Sequence, residues 1–181
     1  MNDQQVILVN ERDEPLGSME KMEAHRKGAL HRAFSVFIFN SRGEMLLQQR
    51  VLKKYHSGGL WTNACCSHPR PGETNEAAAL RRLREEMGFD TSLQQIFSFT
   101  YRASFNNGLT EHEYDHVFAG IHDGAIRPDP EEVQDFCFKN FNDLRYSMET
   151  HPDKYTYWFQ IALPKVESWV LDHFSTLAVA V

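Results

Sequence analysis

Apolar positions recur along the chain with two periods, and the predicted elements follow from where each period starts and stops. QVILVN (5–10) reads as a short strand and ERDEPLG as a turn. SMEKMEAHRK (18–27) reads as a short helix with Ser18 at its cap. HRAFSVFIFN (31–40) is β-branched and aromatic, the pattern of a buried strand; NSRG (40–43) turns the chain, and EMLLQQR (44–50) is expected to pair back as a hairpin. A loop, VLKKYHSGG, leads to LWTNACCSHPRPGE. From Thr74 the period becomes helical, with Thr74 or Asn75 as cap, an apolar stripe of Ala78, Leu80, Leu83 and Met87, and Gly88 as the stop. The stretches 94–105 and 109–121, joined by NNG, predict a long hairpin; PDPEEV is a turn and QDFCFKNF (134–141) another strand. NDLRYSMETHP predicts a short helix ending near Pro152, and the tail from Tyr155 to about Ala178 is mostly helical with an interruption at Pro164. The whole is an α+β chain, a mixed sheet with helices packed on it, and no domain boundary divides residues 1–181.

Composition narrows the classes. The chain of 181 residues, 41% hydrophobic and 12% aromatic, suits one domain with one core. Its first residues lack the basic start and apolar run of a signal peptide, and no apolar run is long enough for a bilayer; a cytoplasmic protein without membrane contact is expected. The net charge of −6, from 19 basic and 25 acidic residues, argues against nucleic acid as a partner. A local basic cluster can still bind a small anion. The three cysteines are expected to be free, catalytic or metal-bound in a reducing compartment.

Three motifs carry chemistry. PGETNEAAALRRLREEMGF (71–89) resembles the Nudix box: Glu73 and Arg81 keep the spacing, and Leu83, Glu85, Glu86, Gly88 and Phe89 fall in place. Two positions depart, with Ser67 at the opening Gly and Arg82 at the Glu after the Arg. Helix-end carboxylates with a loop Glu hold divalent metal against a diphosphate. A cation in place of one carboxylate weakens a hydrolytic site and can contact phosphate directly. In LTEHEYDHVF, Glu111 and Glu113 lie two apart and share one face of a strand, where they repel unless a cation or a proton intervenes. His25, His31 and His68 are scattered, but imidazole nitrogens with carboxylate oxygens suit zinc, manganese or magnesium.

With WTNACCSHP beside this degenerate box, the chain resembles the type I isopentenyl diphosphate isomerases. EKMEAH, LHRAFSVFIFN, LLQQR, WTNACCSHP, TYRA and TEHE occur in the family's order over about residues 5–163. The resemblance implies a Nudix-like mixed β-sheet sandwich with flanking helices and conversion of isopentenyl diphosphate to dimethylallyl diphosphate. It further implies Cys66 as catalytic thiol, Glu113 as catalytic carboxylate, Tyr101 as assisting phenol and Trp158 as active-site aromatic. A first metal (Mn²⁺, Zn²⁺ or Mg²⁺) falls to His25, His31, His68, Glu111 and Glu113. Mg²⁺ arriving with the diphosphate falls to Glu86, and the diphosphate itself to Lys21, Arg50, Lys54 and Arg82. A Nudix pyrophosphohydrolase of a nucleotide diphosphate is the alternative; it explains the helix and Glu73, but not Cys66, the histidines or the Glu111–Glu113 pair. A non-catalytic metal-binding module leaves Cys66, Tyr101 and Trp158 together without a reason.

Overall fold

The computed structural model describes residues 4–179, with side chains through His173. Strand β1 (Gln5–Val9) pairs antiparallel with β2 (Pro15–Glu20), and helix α1 (Lys21–Lys27) follows directly. The axis of the sheet is β3 (His31–Phe39), buried at every position but Arg32. It runs parallel to β8 (Thr110–Ile121) from His31↔Glu113 to Phe39↔Ile121, and antiparallel to the short β6 (Cys65–Ser67). β8 also pairs with β7 (Gln94–Ser104). On the other wing, β4 (Met45–Arg50) pairs with β5 (Trp61–Thr62) and β9 (Val133–Lys139). The sheet is therefore mixed, as expected.

Alternation along β3 divides the molecule into two cores. Phe37 and Phe39 face a cluster with Phe99, Val117, Phe159 and Val166, covered by α3 (Phe141–Thr150) and α4 (Tyr157–Val179). Phe34, Val36 and Ile38 face the opposite cluster, covered by Ala78, Ala79, Leu83 and Met87 of α2 (Asn75–Met87). The period-two argument then puts His31, Ala33 and Ser35 on the α4 side, continuous with Phe37. None of the described helices is long and apolar enough to cross a membrane.

α2 matches its expected ends. Thr74 caps it by accepting from the Ala77 N–H at 3.2 Å, and Gly88 closes it in the left-handed region at φ 75°. Glycine is required there twice over, because a Cβ would lie 2.2 Å from the Arg127 carbonyl oxygen. Leu80 is only half-buried, and Ala79 takes the core position.

Three expectations are corrected. Ser18 caps no helix: residues 15–20 extend along β1, with Ile7↔Ser18 in register, and the helix starts at Lys21 with the Glu20 carboxylate accepting from the Met22 and Glu23 N–H groups. Pairing with a strand outweighs a weak local helical pattern. The 31–50 hairpin is joined at only one pair, Phe39↔Met45, since β3 gives its edges to β8 and β6 while β4 turns to β9. Finally, α4 runs through Pro164 without interruption. The proline removes one helical hydrogen bond, and buried Trp158, Phe159, Ala162, Leu163, Val166 and Val170 hold the helix on the sheet.

Candidate active site

The register of β3, β6, β7 and β8 brings the predicted residues together. Across β8, Glu113 lies opposite His31 on one side and Tyr101 on the other, while Glu111 lies opposite Ala103. Across β6, Cys66 lies opposite Ser35, which puts the thiol on the same face; Cys65, next along, points into the α2 core. Helix α1 adds His25, and the segment after β6 adds His68. Cys66, His68, Tyr101, Glu111, Glu113 and Trp158 line a cleft with an inner cavity of about 60 Å³, and the fully buried His25 and His31 cluster with His68 and Glu113 in its wall. Lys21, Lys54, Ser67, His68 and Arg82 border both this cavity and an outer chamber of about 280 Å³ that Arg70 and Arg81 also line.

The histidines are arranged as ligands. His25 Nδ1–H donates to the Lys21 carbonyl at 2.6 Å and His31 Nδ1–H to the Ala29 carbonyl at 2.8 Å, which directs both Nε2 atoms inward. His25 Nε2 is buried without a hydrogen-bond partner. His31 Nε2 and His68 Nε2 are 3.2 Å apart, and His68 Nε2 is 2.9 Å from Glu113 Oε1. Nitrogen lone pairs this close repel unless positive charge lies between them, so a divalent cation or a proton suits the site. Burial lowers His25 to about 4 and His68 to about 3. Burial also opposes charge on His31, but the hydrogen bond with Glu113, the Glu113 charge and the Ala29 carbonyl together outweigh that and raise it. The His/Glu cluster is thus able to hold a divalent metal ion through His25, His31, His68 and Glu113.

Glu111 departs from the expected set. Its Oε1 lies 2.8 Å from Nε2 of His56, and the group able to share an ion with it is His25 and His56, which has His25 in common with the group of His31, His68 and Glu113. The backbone explains the split: both carboxylates project from one face of β8, but His56 descends from the 51–60 loop beside Glu111 only. His56 stacks on Phe105 with ring centres 4.7 Å apart.

Tyr101 joins the two carboxylates, its oxygen 2.6 Å from Glu113 Oε2 and 2.9 Å from Glu111 Oε2. A phenol brings one proton, so the second contact needs a proton on a carboxyl group. Burial, and next the charge of Glu113, push Glu111 up to about 8. Burial alone would raise Glu113 as well, but hydrogen bonds with His31 and His68 hold it well below the usual carboxylate range. The pair therefore divides into a protonated Glu111 and an ionised Glu113 to which Tyr101 donates. The acidic pair is no solvated sheet face: both are buried.

Cys66 is the centre of a second polar group. Trp158 Nε1–H donates to its sulfur at 3.0 Å, and the thiol donates to Asn63 Oδ1 at 3.0 Å. Ser35 Oγ lies 3.6 Å away and donates to Asp115 Oδ2 at 2.7 Å. Burial, and next the Asp115 charge, push the thiol up to about 12. Trp158 thus grips the sulfur with its ring nitrogen while Arg50 lies over its ring at 5.4 Å.

Lys21, Arg50, Lys54 and Arg82, expected to meet a diphosphate, line the cleft, and several are already paired. Arg82 binds Glu85 and Glu86 at 2.7 Å each and Glu132 at 3.3 Å, and Lys54 also pairs with Glu132. Lys21 lies over the Tyr55 ring at 4.8 Å. Glu86 accepts from Gln48 as well, at 2.9 Å. The Glu73 of the Nudix box is a structural clamp, accepting two parallel bonds of 2.8 Å from Arg81 and one from the Arg70 N–H.

His56, Asp115, Ser35 and Asn63 were not singled out from sequence. Asp115 continues the period-two series Glu111, Glu113, and Ser35 is a polar residue in an apolar run, so both carried a signal; His56 and Asn63 carried none beyond their place beside Lys54 and Cys66.

Comparison with known proteins agrees with this geometry. The NUDIX domain model matches residues 29–159. Isopentenyl-diphosphate Delta-isomerase 2 of Aromatoleum aromaticum is 51% identical over 164 residues, covering 91% of this chain and 87% of its own. The isopentenyl-diphosphate Delta-isomerase of Pectobacterium atrosepticum is 48% identical, covering 91% and 92%. Among solved structures, a MutT NUDIX hydrolase from Burkholderia pseudomallei superimposes with a TM-score of 0.61 at 22% identity, over 76% of this chain and 98% of its own, and shares the fold. With the cleft, the thiol and the His/Glu cluster in place on that fold, the chain belongs to the isopentenyl-diphosphate Delta-isomerases, a NUDIX-domain family.

Proposed function

We propose that Cys66 and Glu113 are the acid–base pair with which this isomerase converts isopentenyl diphosphate to dimethylallyl diphosphate. The observation that carries the assignment is their meeting in one inner cavity, each held by its own partner: Trp158 on the sulfur, Tyr101 on the carboxylate. Moving an unactivated double bond adds one proton at the terminal carbon and removes another from the carbon on the far side, through a tertiary cation. The net proton count is zero, so two groups on opposite sides of the skeleton suffice.

Tyr101 orients the Glu113 carboxyl and can pass it a proton from Glu111. Trp158 offers a ring face to the cation, an attraction worth about 2 kcal/mol when desolvated, and contains no nucleophile to trap it. The buried walls exclude water that would turn the cation into an alcohol. Lys21, Lys54 and Arg82, at the border with the outer chamber, and Arg50, in the inner cavity, hold the diphosphate and so position the alkene. His25, His31, His68 and Glu113, with Glu111 beside them, would hold the first metal; the nitrogen and oxygen donors suit Mn²⁺, Zn²⁺ or Mg²⁺. Bound there, a divalent ion supplies positive charge that orients Glu113 and tunes its proton affinity. Glu86 would take Mg²⁺ together with substrate oxygens. The three free thiols support the cytoplasmic location expected from the sequence.

Incubation of the pure protein with isopentenyl diphosphate and Mg²⁺, followed by product identification, tests the reading. Dimethylallyl diphosphate is expected. Faster release of phosphate from a nucleotide diphosphate would support the hydrolase instead.

A further inference from the structure

We infer that Asn63 is a positioning residue that fixes where the Cys66 proton rests, through a buried chain of side-chain hydrogen bonds reaching helix α4. The inference builds on Cys66 being a catalytic thiol. Asn63, Thr62 and Thr156 are each 0% exposed, behind a sulfur that lines the cleft. Every polar position of Asn63 is used. Its Nδ2 donates to the Val36 carbonyl at 3.1 Å and the Cys65 carbonyl at 2.8 Å, and its Oδ1 accepts from Cys66 Sγ at 3.0 Å and Thr62 Oγ1 at 2.9 Å. Thr156 Oγ1 in turn donates to Thr62 Oγ1 at 2.9 Å, and the Thr156 N–H donates to the Trp61 carbonyl at 3.0 Å.

This geometry has one orientation. Turning the amide over would set its N–H₂ against the Thr62 hydroxyl hydrogen and its oxygen against two carbonyls, leaving several buried groups unsatisfied at about 1–3 kcal/mol each. The oxygen therefore always faces the sulfur. It accepts the S–H while Trp158 N–H occupies one sulfur lone pair, and the two contacts together hold the sulfur at one place in the cleft wall. Because Thr156 immediately precedes α4 and its carbonyl accepts from the Gln160 N–H at 3.2 Å, the same chain ties the first turn of the helix that bears Trp158 to the connection between β5 and β6 that bears Asn63. Both partners of the sulfur are thereby set by one network.

The test reads the S–H stretching band together with steady-state kinetics on isopentenyl diphosphate. Cys66→Ala identifies the band by its loss and must be inactive; if it is active, the reading of Cys66 fails and this inference falls with it. With Cys66→Ala inactive, Asn63→Ala is expected to move the Cys66 band to higher frequency and to lower kcat about 10²-fold with KM little changed. Thr62→Val, which keeps shape and loses the hydroxyl, is expected to lower kcat less, and Thr62→Ser to restore most of that loss. Should Asn63→Ala not fold, the Thr62 pair carries the test. An unmoved band with wild-type kcat in a folded Asn63→Ala, or equal kcat in Thr62→Val and Thr62→Ser, would overturn the inference.

Discussion

The His/Glu cluster and the polar face of α2 are both crowded with charge, yet they are balanced in opposite ways. On α2, each cation meets a carboxylate: Arg81 with Glu73, Arg82 with Glu85, Glu86 and Glu132. Inside, four imidazoles and two carboxylates converge in two groups that share His25, with lone pairs facing one another, completed only by added protons or a cation. A balanced cluster holds shape and binds by exchanging partners. An unbalanced one, kept buried, holds chemistry ready.

Replacing the acid–base pair should break this contrast most severely. Cys66→Ala and Glu113→Gln are each expected to lower kcat by about 10⁴-fold, with folding intact by circular dichroism. Cys65→Ala, on the α2 side of the same strand, should lose about 1 kcal/mol of stability and keep its turnover. An active Cys66→Ala beside a dead Cys65→Ala would reverse the assignment within the pair.

Next in size is removal of the imidazoles. Changing His25, His31 and His68 together to alanine should cost about one bound metal ion per chain by elemental analysis. Retention of that ion would show that the three converge for another reason.

Arg82 sharpens the comparison from the other side. Losing its charged hydrogen bonds, each worth about 1.5–3 kcal/mol, Arg82→Ala should raise KM for isopentenyl diphosphate about 10- to 100-fold. Arg82→Lys should recover only part, because lysine lacks the planar fork. Phosphate release by either variant would mean that the arginine suppresses hydrolysis rather than binding an intact diphosphate.

Smaller effects are expected at the margins. His56→Ala should weaken metal binding about tenfold in titration, as partners of a ligand do; unchanged affinity would make its contact with Glu111 incidental. Glu73→Ala should lower stability by about 1 kcal/mol, a melting shift of about 2–4 °C, without changing metal content. A lost ion in that variant would return Glu73 to the role its place in the Nudix box suggested.

How far the sequence reached depends on the range of the interactions involved. Thr74, the Ala–Leu–Met stripe and Gly88 are local signals, and α2 formed between them. The period-two spacing of Glu111 and Glu113 placed both on one strand face without any fold. The motif order pointed to Cys66, Tyr101 and His68, which line one cleft, and to His25 and His31, which cluster with His68 in its wall. Pairing across the sheet was another matter. That β3 runs parallel to β8, setting His31 opposite Glu113, is a choice between distant segments, since nothing in HRAFSVFIFN names its partner. The same holds for Pro164, carried through α4 by its buried face, and for His56, which reaches Glu111 only because its loop folds over β8. Local propensity and spacing decided which residues could act. Only tertiary register, through the one-residue alternation of facing strands, decided which would meet: Glu113 with His68, Glu111 with His56, and Cys66 with Asn63 and Trp158.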